Sequence, residues 1–205
     1  MNASEKTYQQ LKAKIISNEL VGAVSESELC ATFNVSRTPL REAIFRLITE
    51  GWIDYSKNKT KTIRPITLKE LKNIFQIRVD IEIMLLNLSW KYHDTSIYQS
   101  IKKNIEKGIA QQDIDLLLAS DNQLHQQLLD DCNNELVYKM LSFIYDRLRM
   151  LRSDKVKTDS IFESSTEHLN ICDAIIIRDQ DAARKAISTH VSNSRLRILT
   201  TFDEC

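Results

Sequence analysis

Apolar residues recur at helical spacing through most of this chain. Leu40, Ala43, Ile44 and Leu47 stand at i, i+3, i+4 and i+7 and predict an amphipathic helix running to about Glu50. Ser36 is placed to cap its first turn, and Pro39 falls inside that turn, where a missing N–H costs nothing. Tyr8, Leu11 and Ile15 mark an earlier helix over about 5–18, with Gly22 serving the turn that follows. Between the two, Ser25 precedes a short helical stretch from Glu26 to Phe33, with Glu28 at the capping-box position. Asn34-Val35 is the short connection to the next helix.

After Gly51 the period changes. Trp52-Ile53-Asp54-Tyr55 and Thr62-Ile63-Arg64 read as strands around a polar run that carries Lys57, Lys59 and Lys61, so a hairpin with a basic tip is expected. Pro65-Ile66 interrupts regular structure, and Thr67 with Glu70 forms a capping box that opens a second, wholly helical stretch. Helices are expected at about 67–91, 95–109, 112–131, 134–153, 159–178 and 180–201. In the first of these Ile74, Ile77, Ile81 and Leu85 make the apolar stripe. Arg78 lies beside it, four residues before Glu82, and spacing alone reads it as a snorkelling surface residue. The fold class is mainly α. A winged helix-turn-helix with a small β-hairpin wing occupies residues 1–66, and an all-α antiparallel helical bundle occupies 67–205.

Charge refines the first part. Arg37 and Arg41 are four apart, on a face offset from the apolar stripe, which suits phosphates and guanine edges. Two arginines on one helix equally fit a solvated face. The flanking helix, short turn and lysine-bearing hairpin favour DNA, because they supply the spacing of a helix-turn-helix and a second source of positive charge. The net charge is zero, but residues 1–66 hold ten Lys or Arg against seven Asp or Glu, and the remainder eighteen against twenty-one. A basic reader joined to an acidic body fits this division.

Cys30, Cys132, Cys172 and Cys205 form no C-x-x-C pair, so neither a zinc knuckle nor a dithiol motif is written here. With no leader pattern and no run of about eighteen apolar residues, a cytoplasmic protein without membrane contact is expected.

Three of the four histidines fall near the middle of expected helices. Asp121 and His125 are one turn apart on one helical face, a spacing that can offer two metal ligands. His168 lies eleven residues before Asp179 and His190 eleven after it. If the turn falls at Asp179, an antiparallel hairpin brings both to the same height, roughly 16 Å from the turn. One aspartate and three histidines converging in a bundle suit zinc, nickel, manganese or iron. The alternative is that each histidine is a separate core residue with one hydrogen bond. His93 sits at a helix end and reads as an exposed loop residue.

Two sets of residues carry a resemblance. Glu28-Leu29, Val35 to Ala43, Leu47 and Glu50-Gly51-Trp52 resemble the N-terminal winged-helix domain of GntR-type bacterial transcription regulators. The resemblance implies DNA contacts from Ser36, Arg37, Thr38 and Arg41 and from a wing tip at Lys57 and Asn58, with Lys59 beside them. Lys59, Thr60 and Lys61 fill positions where the family wing usually carries glycine, and Ser27 stands where some members have arginine. Asp121-x-x-x-His125, Glu167-His168, Asp179 or Asp181, Ala183 and His190 are similar to the FCD ligand domain of the FadR-like branch, in its six-helix, VanR-like subgroup. Leu124 replaces a common phenylalanine.

The second resemblance implies a divalent ion, zinc first, held by Asp121, His125, His168 and His190, and a small carboxylate effector bound by Arg78. Together they imply a homodimer on a double-stranded DNA operator, a repressor rather than an activator, and no enzyme. A metal sensor in which the ion is the signal is the nearest alternative, and a metalloenzyme using the same residues is a further one.

Overall fold

The computed structural model describes residues 2–56, 60–155 and 158–203. Its contacts group into two compact units: Met1–Ile66 with Asp146–Ser153, and Thr67–Tyr145 with Asp154–Cys205. The sequence reading gives residues 146–153 to the C-terminal body, whereas here they pack with the first unit.

In the first unit, α1 (Ala3–Ile16) is capped by the Asn2 side chain, which accepts from the Glu5 N–H at 2.8 Å. Leu11 and Ile15 are fully buried, and α1 packs on α3 (Arg37–Thr49), whose Leu40, Ala43, Ile44 and Leu47 form the buried stripe. Between them α2 (Glu26–Phe33) ends at Asn34, whose left-handed φ of 51° makes the tight turn into α3. Neither Ser25 nor Ser36 caps its helix through the side chain. The Ser25 hydroxyl pairs instead with that of Ser27 at 2.8 Å, so the expected capping box does not form.

The wing is a sheet of three strands rather than a hairpin of two. β1 (Ala23–Val24), β2 (Ile53–Tyr55) and β3 (Lys61–Ile63) lie in the order β1-β3-β2, all antiparallel, with Ala23 opposite Thr62 and Ile53 opposite Ile63. Two residues are too few to show an alternation, which is why β1 left no periodic trace. Gly22, at φ +70°, turns the chain into it, and its carbonyl accepts from the Ile63 N–H at 2.8 Å. Trp52 is fully buried within this unit, with Lys12 and Arg147 over its ring at 5.1 and 5.5 Å.

The second unit comprises α4 (Leu68–Ser89), a 3-10 turn at Trp90–Tyr92, α5 (Thr95–Gln111), α6 (Ile114–Asp130), the first part of α7 (Glu135–Lys155), α8 (Thr158–Ile176) and α9 (Gln180–Asp203). Asp and Thr side chains start these helices: Thr67, Asp94 and Asp113 each accept a first-turn N–H at about 3 Å. The tightest packing pairs α8 with α9 and α5 with α8, and α4 lies on α9. Arg178, left-handed at φ 61°, makes the turn before α9, and the Asp179 carboxylate accepts from the Ala182 N–H.

Two expectations fail here. Ile77 is 46% exposed, while Arg78 and Glu82 are each 2% exposed. The buried face of α4 carries Leu71, Ile74, Phe75, Ile81, Leu85 and Leu86, and it includes the charged pair because each charge neutralises the other. His93 is not an exposed loop residue but is 2% exposed. Its Nδ1 is 2.6 Å from Asp131, the Tyr98 hydroxyl donates to the same carboxylate at 2.7 Å, and Ser89 Oγ is 3.2 Å from Nε2. This is a structural clasp: Ser89 is fully buried, and its hydroxyl donates to the Leu85 carbonyl. Burial alone would raise the Asp131 pKa, but hydrogen bonds from His93, Tyr98 and Gln127 outweigh it and hold the carboxyl below its ordinary value.

Candidate functional site

The buried stripes of α6, α8 and α9 each carry a histidine where an apolar residue would ordinarily sit. In α6 the stripe is Leu117, Asp121, Leu124, His125 and Leu128; in α8 it is Ser165, His168, Ile171, Cys172 and Ile175; in α9 it is Ala183, Ile187, His190, Val191 and Ser194. One ring nitrogen from each of His125, His168 and His190 lies within 4.8 Å of the other two. Ring centroids are 4.5 Å apart for His168 and His190, 5.3 Å for His125 and His168, and 5.6 Å for His125 and His190. Asp121 Oδ1 stands 3.8 Å from His125 Nε2 and 3.5 Å from His168 Nε2.

The surroundings fix how these rings present themselves. His190 Nδ1 is 2.9 Å from Glu167 Oε2, and Glu167 is held in turn by both Nη groups of Arg197 and by Asn193, each at 2.7 Å. Burial works against the Glu167 charge, but those bonds prevail and keep it ionised far below the usual carboxylate range. An ionised Glu167 can only accept, so His190 Nδ1 donates to it and Nε2 is the nitrogen turned to the cluster. That nitrogen is buried without a hydrogen-bond partner, as are both ring nitrogens of His125. Burial, with help from the neighbouring histidines and Arg78 and against the pull of Asp121, drives the His125 pKa well below its ordinary value and keeps the ring neutral. A neutral His125 ring, with a ring nitrogen each from His168 and His190 and the Asp121 carboxylate beside it, forms a donor set that fits a divalent transition ion. Left without one, each stranded nitrogen costs desolvation energy that folding does not recover.

Arg78 lies close by. Its Nε donates to Glu82 and its Nη1 reaches Ser194 Oγ at 3.3 Å, while its guanidinium is 5.7 Å from the Tyr145 ring, which itself lies 4.7 Å from that of His125. Burial disfavours the charge, but Glu82 more than compensates and Arg78 stays protonated. Tyr145 and Glu82 are the members of this group that periodicity could not assign. Tyr145 is far from both in sequence, and Glu82 reads as the outer half of an exposed i,i+4 pair.

In the first unit Ser36, Arg37 and Thr38 are exposed at the start of α3, and Arg41 follows one turn later on the same side. Arg41 Nε is 2.8 Å from Glu26 Oε2. Lys57, Asn58 and Lys59 lie outside the described residues.

A winged helix exposing basic residues at the start of α3, in one chain with a helical unit enclosing a histidine cluster, defines a two-domain DNA-binding transcription regulator. The chain belongs to the GntR family of bacterial regulatory proteins, in its FadR-like branch: the gntR family model matches residues 3–60 and the FCD domain model residues 73–193. It is 25% identical over 204 residues to the HTH-type transcriptional repressor RspR of Escherichia coli (strain K12), covering 93% of this chain and 88% of that protein. Its fold matches that of E. coli McbR/YncC with a TM-score of 0.82 at 14% identity, covering 98% of this chain and 99% of the other. The Zn2+-bound FCD domain of another transcriptional regulator matches with a TM-score of 0.56 at 20% identity, over 65% of this chain and 94% of that domain. These relatives are regulators and not enzymes, and among the described residues no helix is long and apolar enough to cross a membrane.

Proposed function

We propose that this chain is a cytoplasmic, homodimeric repressor whose C-terminal unit holds a divalent ion, zinc first, and a small carboxylate effector. The observation that carries the reading is the meeting of three buried imidazoles within 4.8 Å beside Asp121. The zinc in a domain of the same fold supports the choice of ion, and the repressor RspR supports the sign of regulation.

His125, His168, His190 and Asp121 would hold the ion, which supplies a Lewis-acidic anchor for an anionic oxygen. Arg78 orients the effector's charge, and to do so it must loosen its hold on Glu82, so effector and Glu82 compete for one guanidinium. That competition gives the unit two states with different charge pairing, the differential interaction a population shift requires. In one state two winged helices match the half-site spacing of a near-palindromic operator; in the other they do not. Ser36, Arg37, Thr38 and Arg41 read DNA from the start of α3, with Lys57, Asn58 and Lys59 as the wing contacts.

The test starts from a duplex enriched by the full chain from a randomised double-stranded library. Its affinity, measured by fluorescence anisotropy at fixed salt with zinc present, is expected to fall about 5- to 150-fold when the right small carboxylate is added. Arg37→Ala is expected to weaken the same duplex by about 1–3 kcal/mol. Unchanged affinity and footprint in that variant would remove α3 from the interface. A second reading has one observation in its favour: Arg78 already has Glu82 and Ser194 as partners. If the ion is itself the signal, DNA affinity responds to zinc at fixed carboxylate concentration and no acid changes it.

A further inference from the structure

Glu26, the first residue of α2, is bound to two cations from different elements. Its Oε2 lies 2.8 Å from Arg41 Nε on α3 and its Oε1 lies 2.9 Å from Lys61 Nζ on β3. Nothing in local spacing points to this, since Glu26 and Arg41 are fifteen residues apart. From these contacts we infer that Glu26 is a positioning residue that sets operator specificity, by holding Arg41 through its Nε so that the two Nη groups face outward together. The inference rests on the reading of Arg41 as a DNA contact.

The geometry of guanidinium gives the contact its meaning. The Nη pair is the fork that matches guanine O6 and N7, and Nε is the donor that such a contact can spare. Arg41 gives Glu26 only that Nε; its Nη groups make no hydrogen bond among the described residues, and its side chain is 64% exposed. An arginine so exposed would otherwise sample many rotamers and lose them on binding. Held by Glu26, it has lost them beforehand. The second oxygen, on Lys61, ties the same carboxylate to the wing strand, so α2, α3 and β3 share one anchor.

The half-buried pair of Glu26 with Lys61 can serve the fold, but stability alone accounts poorly for the pair with Arg41, whose side chain is 64% exposed, because an ion pair so open on one side adds little to folding. It also sets a negative charge beside a surface that meets phosphates, which weakens binding to every sequence alike. A carboxylate that lowers general affinity while orienting a base-reading arginine raises the ratio of specific to non-specific binding. Removing its charge should therefore weaken specific binding without weakening non-specific binding.

The experiment uses the full chain as wild type, Glu26→Gln, Arg41→Ala and the double variant, with the library-selected duplex and a scrambled duplex of equal length at one salt concentration. Glu26→Gln is expected to weaken the selected duplex about 3- to 10-fold, to leave the scrambled one unchanged or tighter, and to lose discrimination at the same base pair as Arg41→Ala. In the Arg41→Ala background it should add no further loss. An equal tightening on both duplexes would make Glu26 merely a repulsive charge and overturn the inference. So would an undiminished loss in the Arg41→Ala background, which assigns Glu26 to the fold, where a lowered thermal midpoint would also appear. If Arg41→Ala itself leaves the selected duplex untouched, the reading of Arg41 fails first and the inference falls with it.

Discussion

Arg78→Ala is expected to destabilise the C-terminal unit by about 3–5 kcal/mol, read as a lowered urea midpoint. Arg78 and Glu82 are each 2% exposed, so truncation leaves the Glu82 carboxylate buried without its counter-charge. The loss comes mainly from that stranded charge and not from the strength of the pair. For this reason the double variant Arg78→Met with Glu82→Leu, which removes both charges and keeps most of the volume, should recover most of the stability or exceed it. The same double variant separates structure from sensing. It should fold, bind the selected duplex, and no longer release it on addition of any carboxylate. A double variant that still responds would take Arg78 out of the effector site.

The second large effect is on metal. His190→Ala is expected to lower zinc affinity by ~100-fold or more, beyond the 10- to 100-fold typical of losing an outer partner of a ligand. The fold should tolerate the change, because Glu167 keeps both bonds from Arg197 and its bond from Asn193 when His190 Nδ1 is gone. Zinc at about 100 times its dissociation constant should stabilise the wild type by about 2.7 kcal/mol and leave the variant unmoved. If the three histidines were ordinary core residues, zinc would shift the melting of neither protein.

The sequence showed those features whose signal is local. The apolar stripe of α3, the capping box at Thr67 and the interruption at Pro65 each act over a few residues, and the helices of the second unit begin within a few residues of their expected starts. The equal spacing of His168 and His190 about Asp179 also carried far, because an antiparallel hairpin converts distance along the chain into height. What spacing missed was partnership across elements. His93 stands at a helix end, yet the Asp131 carboxylate just after α6 and Tyr98 from α5 bury it. Arg78 read as a surface residue on spacing because its neutralising Glu82 and the rings of Phe75 and Tyr145 form an environment that only packing creates. Strand β1 was invisible because two residues have no period, and Glu26 because its cations come from the next helix and the wing.

The measurement that bears most directly on the account is the zinc content of the untagged chain, by elemental analysis after loading and dialysis, beside His190→Ala prepared in the same way. The account predicts about one ion per chain in the wild type and almost none in the variant. A wild type that retains no zinc, and none of nickel, manganese or iron on repeating the loading, would contradict it and return the imidazoles of His125, His168 and His190 to the core as packing alone.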